Sequence, residues 1–343
     1  MLMVVFGAGA SYDSTPVYPV ASGSLAWRPP LARELFDFRQ EFFAALDEFP
    51  QFSAIIGDLR NLPAGVSLES KLSMLQAQLP ELPHRARQLT AVRFYLRRVL
   101  WEHGDRWASQ SHGSSNYAAL LGQLQDWQAR SEEAVALVSF NYDTLLERAY
   151  TSVFDRDPSQ GDSPDLEAYV SDGAFPIFKP HGSVNWSRWI DDSHAMFTPQ
   201  INATAIISRA HEIHASERFE VTWQLDQAWA RSDQQQALFP ALAIPTDVKS
   251  VFEFPKLHRD RLLELLPKVD RLLTVGWRAS EGTFLDQWGS ERKTHIRVHI
   301  VSPTDGAGVE ANLRSAGFDG PHSISGMGFT EFATSGRVEQ ILT

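Results

Sequence analysis

The chain opens with the apolar run Leu2-Met3-Val4-Val5-Phe6 and passes without a spacer into Gly7-Ala8-Gly9-Ala10-Ser11. A short, continuous apolar run reads as a strand buried on both faces, as in a parallel sheet covered by helices. Glycines directly after such a strand permit a tight turn whose backbone N–H groups point outward, a concavity suited to a diphosphate. The full dinucleotide fingerprint needs a further glycine where Tyr12 stands. Pro16, Pro19, Gly23 and Pro29-Pro30 follow, so no helix is expected directly after Ser11. Read alone, this segment is equally a plain strand-to-loop turn.

Further strand candidates are 134–140, 175–179, 272–276 and 296–301, with 241–245 as an additional one. Apolar residues recur at helical spacing over 31–46, 68–79, 87–103 and 117–130. Pro50, Pro63-Ala64-Gly65, the 80–83 segment and Gly113-Ser114-Ser115 break them. Two helical patches are expected within 201–231, and a helix over 257–270. The expected fold is α/β: a Rossmann-like, doubly wound, mostly parallel sheet in a single domain over 1–343. A large helical insertion is expected at 30–130. Ligands of such sheets bind at the carboxyl ends of the strands.

With 43% hydrophobic and 21% charged residues, the chain can bury a sizeable core. A net charge of -11 disfavours non-specific contact with a phosphate backbone, so no direct nucleic-acid binding is expected. The sequence has 0 cysteines, which removes disulfides, thiolate nucleophiles and cysteine-based zinc sites. No run approaches the roughly 18 apolar residues of a membrane span, and the first strand is too short for a signal-peptide core. A cytoplasmic, soluble protein with no membrane contact is expected.

Two more segments carry chemistry. Phe140-Asn141-Tyr142-Asp143-Thr144 closes a predicted strand and runs into a helical start. Asn141 and Asp143 there face the ligand crevice or cap the helix; both readings stand. Lys179-Pro180-His181-Gly182-Ser183-Val184-Asn185-Trp186 closes the next strand. A lone histidine is commonly structural, but one beside a strand end can take a proton near neutral pH.

Taken in order, Gly-Ala-Gly-Ala-Ser, Phe-Asn-Tyr-Asp and Lys-Pro-His-Gly-Ser-Val-Asn-Trp resemble the sirtuin-like NAD-binding domain, and within it the bacterial antiphage-defence NADase branch. Leu272-Leu273-Thr274-Val275-Gly276-Trp277 and Ile300-Val301-Ser302-Pro303 resemble that family's later strands. The resemblance implies NAD as substrate, with no metal. It implies a catalytic set of Asn141 on the ribose or water, Asp143 at the nicotinamide end or steadying the loop, and His181 on the ribose hydroxyls or as base. The backbone of Gly7, Ala8, Gly9, Ala10 and Ser11 would hold the diphosphate. Gly182, Gly276 and Ser302 complete the implied binding set, the last two flanking the adenosine. It further implies a homo-oligomer and a co-encoded partner such as a HerA-type ATPase or an Argonaute-like protein. Two departures stand out: deacylating sirtuins carry a four-cysteine zinc ribbon, absent here, and Trp277-Arg278 replaces a small hydroxyl residue after Gly276.

Other patterns carry less. His112-Gly113-Ser114-Ser115-Asn116 superficially repeats the His181 segment but reads as a loop with a helix cap at Ser115 or Asn116. His211-Glu212-Ile213-His214 has the wrong spacing for a zinc-protease helix. The leading expectation is an NAD glycohydrolase yielding ADP-ribose and nicotinamide. The alternatives are an NAD or ADP-ribose sensor, a protein deacylase or ADP-ribosyltransferase, and a structural subunit of a defence assembly.

Overall fold

The computed structural model describes residues 1–14, 22–111, 115–160, 164–171, 175–191, 202–222, 225, 230–231, 236–246, 252–291 and 295–342. Strand β1 (Leu2–Phe6) lies inside a six-stranded sheet completed by β2 (Val135–Ser139), β3 (Ile177–Phe178), β8 (Arg271–Val275), β9 (Arg297–Val301) and β10 (His322–Ser325). The order is β10-β9-β8-β1-β2-β3, and every pairing is parallel. All five β1 residues are fully buried, as the uninterrupted apolar run requires. This is the expected doubly wound α/β sheet.

The glycine segment departs from expectation. Residues Ala8–Tyr12 form a one-turn helix, α1, directly after β1. Further along come α2 (Phe43–Glu48), α3 (Ser53–Arg60), α4 (Leu68–Ala77), α5 (His84–Ser111), α6 (Asn116–Ser131) and α7 (Leu145–Phe154). The stretch expected as one helix over 31–46 is instead two short 3-10 turns leading into α2, because Leu35, Phe36 and Phe42 bury themselves around an extended Arg39. Ser115 caps α6 by accepting from the Ala118 N–H at 3.2 Å. His112, Gly113 and Ser114 lie outside the described residues, as do Pro16 and Pro19.

A second sheet was not legible in the sequence. Strands β4 (Gly182–Ile190), β5 (Ala215–Val221), β6 (Ala230–Arg231) and β7 (Gln236–Leu242) form an antiparallel sheet in the order β5-β4-β7-β6. Three expectations are corrected by it. The 179–186 segment leaves the parallel sheet and starts β4. The strand expected at 241–245 is the end of β7. Among the described residues of 201–231 the one α-helix is Ala203–Ser208, and the alternating Ala215, Glu217, Phe219 and Val221 form an edge strand. The redirection occurs at Lys179-Pro180-His181-Gly182, closed by a Gly182 N–H to Lys179 carbonyl bond of 2.9 Å. Gly182 has φ +77°, and a Cβ there would lie 2.0 Å from the Ala241 carbonyl oxygen.

Two hydrophobic cores result. One surrounds the parallel sheet and includes Tyr117, Leu121 and Trp127 of α6. The other joins α3, α4 and most of α5 to Val184, Ile190 and Leu242 of the antiparallel sheet. Among the described residues no helix is long and apolar enough to cross a membrane.

Two histidines, His103 and His258, are fully buried, one against each core. His103 packs between Trp27 and Phe42 and shares Nδ1 with the Val99 carbonyl at 2.8 Å. His258 lies against Trp186 and shares Nε2 with the Leu166 carbonyl at 2.9 Å. Burial lowers both to about 4. Because the folded values lie below the unfolded one, their contribution to stability is complete above about pH 6.5 and is lost as pH falls toward 4. At pH 5 each should cost on the order of 2 kcal/mol. Thermal denaturation from pH 7 to pH 4.5 should show that fall, and His258→Gln should flatten it.

Candidate functional site

In a doubly wound sheet the ligand crevice opens where strand order reverses, here between the carboxyl ends of β1 and β8. Those ends touch through bare backbone. The Gly7 N–H donates to the Val275 carbonyl and the Gly9 N–H to the Gly276 carbonyl, each at 3.1 Å. A Cβ on Gly7 would lie 2.6 Å from the Gly276 oxygen, and one on Gly9 would lie 2.9 Å from the Gly276 Cα. Gly276 itself has φ +58°, and its Cβ would meet the Ala10 nitrogen at 2.4 Å. The three glycines are thus required by close packing of two turns. The expected outward nest of amides is corrected accordingly. The Gly9 N–H is bound to Gly276, and the Ala10 N–H donates to the Gly7 carbonyl at 2.9 Å. Ala8 is the exposed residue of this turn, and Ala10 is fully buried.

Ser11, on α1, and Asn141, just past β2, meet directly. Asn141 Nδ2 donates to Ser11 Oγ at 2.9 Å and to the Tyr117 hydroxyl at 3.1 Å. Those two oxygens are 2.9 Å apart and share a hydrogen bond. All three side chains are buried, and Asn141 Oδ1 has no hydrogen-bond partner. Burial holds the Tyr117 hydroxyl well above the ordinary tyrosine range, so it remains neutral. The network extends into α5: Trp107 Nε1 donates to Ser14 Oγ at 3.0 Å, and Ser14 Oγ donates to the Ser11 carbonyl at 2.6 Å. The amide of Asn141 is therefore held from both α1 and α6.

His181 stands beside it. Its ring packs 4.8 Å from Phe140 and 6.0 Å from Tyr142, the two neighbours of Asn141, with Nδ1 3.3 Å from the Phe140 carbonyl. Phe140 also stacks on Trp277, with centroids 5.4 Å apart and planes at 9°. Trp277, directly after Gly276, is thus a buried wall of the same cluster. Asp143 is placed differently: Oδ1 accepts the Leu145 N–H at 3.1 Å, the start of α7, which fits the capping reading. Gly182 lacks a side chain because β7 passes against it. Ser302 follows β9, whose Val301 carbonyl accepts the Gly276 N–H at 3.1 Å. Its Oγ accepts the Asp305 N–H at 3.2 Å, before the Gly306–Ser315 helix. Ser11, Asn141 and His181 are brought together, and Gly7, Gly9 and Gly276 lie at the adjoining turn contact.

Sequence reasoning missed a buried ion pair beneath this cluster. Lys179 Nζ lies 2.7 Å from Glu147 Oε1, 2.8 Å from Ser183 Oγ, and also donates to the Asp143 carbonyl. Both side chains are almost wholly buried. Burial pushes Glu147 up from the usual carboxylate range, against the pull of Lys179. A signal existed: Leu146, Glu147 and Tyr150 share a helix face, so Glu147 falls on the buried side and needs a cation. Tyr117 carried no such signal, since its role depends on the rotation of α6. The exposed His211, Glu212 and His214 stay at the surface, and among the described residues no three His, Cys, Asp or Glu side chains are grouped to hold a metal ion.

No protein-family model matches the sequence. No curated protein matches it. Similar solved structures include a Sir2 homolog in complex with NAD, 12% identical with a TM-score of 0.43, over 99% of this chain and 89% of that one. Another is Sir2 with the inhibitor EX-527, 2'-O-acetyl-ADP-ribose and a deacetylated p53 peptide, 13% identical with a TM-score of 0.41, over 100% and 95%. A mutant Sir2 homologue bound to ADP-ribose is 14% identical with a TM-score of 0.33, over 92% and 91%. Likenesses of this size say nothing of this chain's activity; the doubly wound fold stands on its own strand order.

Two substitutions test the framework. Gly276→Ala places a Cβ in a left-handed backbone against α1 and should cost at least about 2 kcal/mol in urea denaturation. Lys179→Met leaves Glu147 buried without its cation and should cost roughly 3–5 kcal/mol, most of which the double variant Lys179→Met/Glu147→Leu should recover.

Proposed function

We propose that the chain is an NAD glycohydrolase, cleaving NAD to ADP-ribose and nicotinamide, and that it acts as an NAD-depleting effector in bacterial antiphage defence. The observation that carries this reading is the Ser11–Tyr117–Asn141 triangle at the carboxyl edge of β1 and β2. It holds a buried amide whose Oδ1 is without a partner, with His181 packed alongside. The order of the three motifs and their resemblance to the sirtuin-like domain support the same chemistry.

Breaking the bond between nicotinamide and ribose needs no proton donor for the leaving group, because the pyridinium departs as neutral nicotinamide with the bonding electron pair. The sugar becomes oxocarbenium-like, water adds to its anomeric carbon, and one proton is released. Rate then comes from holding the ribose and water in place and from stabilising developing positive charge. In this reading Asn141 Oδ1 accepts a hydrogen bond from the ribose or the water, since both Asn141 amide protons are committed. His181 receives the proton or orients the ribose hydroxyls. Ala8, exposed at the start of α1, approaches the diphosphate. The absence of a zinc ribbon disfavours deacylation. A homo-oligomer, a co-encoded partner such as a HerA-type ATPase or Argonaute-like protein, and a cytoplasmic location belong to the same proposal.

Chromatography of NAD products, with the full chain alone and with its genomic neighbour, tests it. Asn141→Ala and His181→Ala should each lower turnover by about 100-fold or more while leaving the fold intact. Full-rate turnover by either variant would overturn the site assignment. Tyr117→Phe, which removes one anchor of Asn141, should lower kcat by about 10-fold with little change in KM.

A further inference from the structure

Trp277 and Glu281 stand on the turn after β8, outside the Ser11–Tyr117–Asn141 triangle. The Trp277 ring is buried, and its Nε1–H donates to Glu281 Oε2, which also accepts the Ser280 N–H at 3.1 Å. The chain reaches this arrangement by turning back at Ala279, a buried non-glycine residue with φ +53°. Left-handed backbone is unfavourable for alanine and persists only where the surroundings impose it. Two other buried indoles, Trp189 and Trp288, leave Nε1 without a hydrogen-bond partner. A carboxylate is therefore not a general requirement of burying tryptophan in this molecule; at Trp277 it fixes one particular ring.

That ring backs Phe140. Trp277 stacks on it at 5.4 Å and 9°, and Phe284 stands edge-on to both, 6.1 Å from Trp277 and 5.2 Å from Phe140. Phe140 in turn meets the His181 ring at 4.8 Å. The backbone here is fixed independently of these rings. The Phe140 N–H donates to the Phe6 carbonyl at 2.9 Å, and the Asn141 N–H donates to Ser139 Oγ at 3.2 Å. The Phe140 carbonyl is thus a stationary acceptor, and the imidazole meets it while the Phe140 ring stays in place as its wall. A carbonyl can only accept, so the 3.3 Å contact makes Nδ1 the protonated nitrogen of the neutral ring and puts the lone pair on Nε2. At that distance the bond is near its limit, and a shift of a few tenths of an ångström ends it.

We infer that Glu281 is a positioning residue for His181: through the Trp277 and Phe140 rings, its hydrogen bond keeps the imidazole as the Nδ1–H tautomer, so that Nε2 is the atom that receives the proton. The role of Nε2 rests on the NAD-cleavage reading; the tautomer does not. Long-range 1H–15N spectra of the full chain, labelled at histidine and recorded at about pH 8.5, above the ordinary imidazole range, read the tautomer directly. His181→Gln removes one signal and so identifies it among the 11 histidines. The Nδ1–H form is expected in the unmodified chain. Glu281→Leu and Trp277→Phe should each mix the tautomers and lower kcat by about 10-fold with KM within about 2-fold, and the double variant should fall no further. Glu281→Gln, whose amide oxygen accepts the same indole N–H, should keep the tautomer and at least about half of kcat. If Glu281→Leu fails to fold, Trp277→Phe, which keeps an aromatic ring but no N–H, carries the same test. An Nε2–H tautomer in the unmodified chain would overturn the inference. So would an unchanged tautomer in Trp277→Phe, or a loss in Glu281→Gln equal to that in Glu281→Leu. A chain that does not turn over NAD counts against the cleavage reading, and the tautomer still decides whether Glu281 positions the ring.

Discussion

The backbone contact between the turns after β1 and β8 is the constraint on which the arrangement depends. Three glycines let two chain segments approach at distances that any side chain would forbid. That approach fixes where α1 begins, and so where Ser11 stands. Ser11 in turn fixes the amide of Asn141 through a direct hydrogen bond of 2.9 Å. A larger residue at position 7, 9 or 276 would displace α1 and with it one anchor of the polar cluster. The glycine pattern that resembles a phosphate-binding turn is, in this molecule, first a packing device.

The buried Lys179–Glu147 pair plays the complementary part on the other side of Asn141. It ties the end of β3 to α7 and, through Ser183, to the first residues of β4. Burying an ion pair is not in itself a strong source of stability, because desolvation offsets most of the attraction. What it provides is orientation: the Asp143 carbonyl and the Ser183 hydroxyl both bind the same ammonium, so the ends of two strands are held in register.

Sequence patterning revealed the parallel sheet because its strands are short uninterrupted apolar runs, and 2–6, 272–276 and 296–301 fall within a residue of the observed strands. The antiparallel sheet was hidden for a physical reason. Its central strand β4 buries Ser183, Asn185 and Ser187 as well as the Val184 and Trp186 that alternate with them, so it lacks the uninterrupted apolar run that marks the parallel strands. The candidate site was partly legible. Asn141 and His181 stand out by their place at strand ends, yet Tyr117 and Trp277 join them only through tertiary packing. Likewise, the glycines at 7, 9 and 276 are visible in the sequence, but their mutual contact is not.

The turn that carries His181 has a consequence of its own. Its flanks belong to different sheets: Lys179 follows β3, and Gly182 begins β4. The His181 carbonyl accepts from Ala243, just past β7, at 2.8 Å, while the ring lies on Phe140, just past β2. The residue thus joins the two sheets, its backbone bonded beside one and its ring packed at the end of the other. Where the antiparallel sheet sits against the parallel one therefore sets where this ring lies on the residues flanking Asn141.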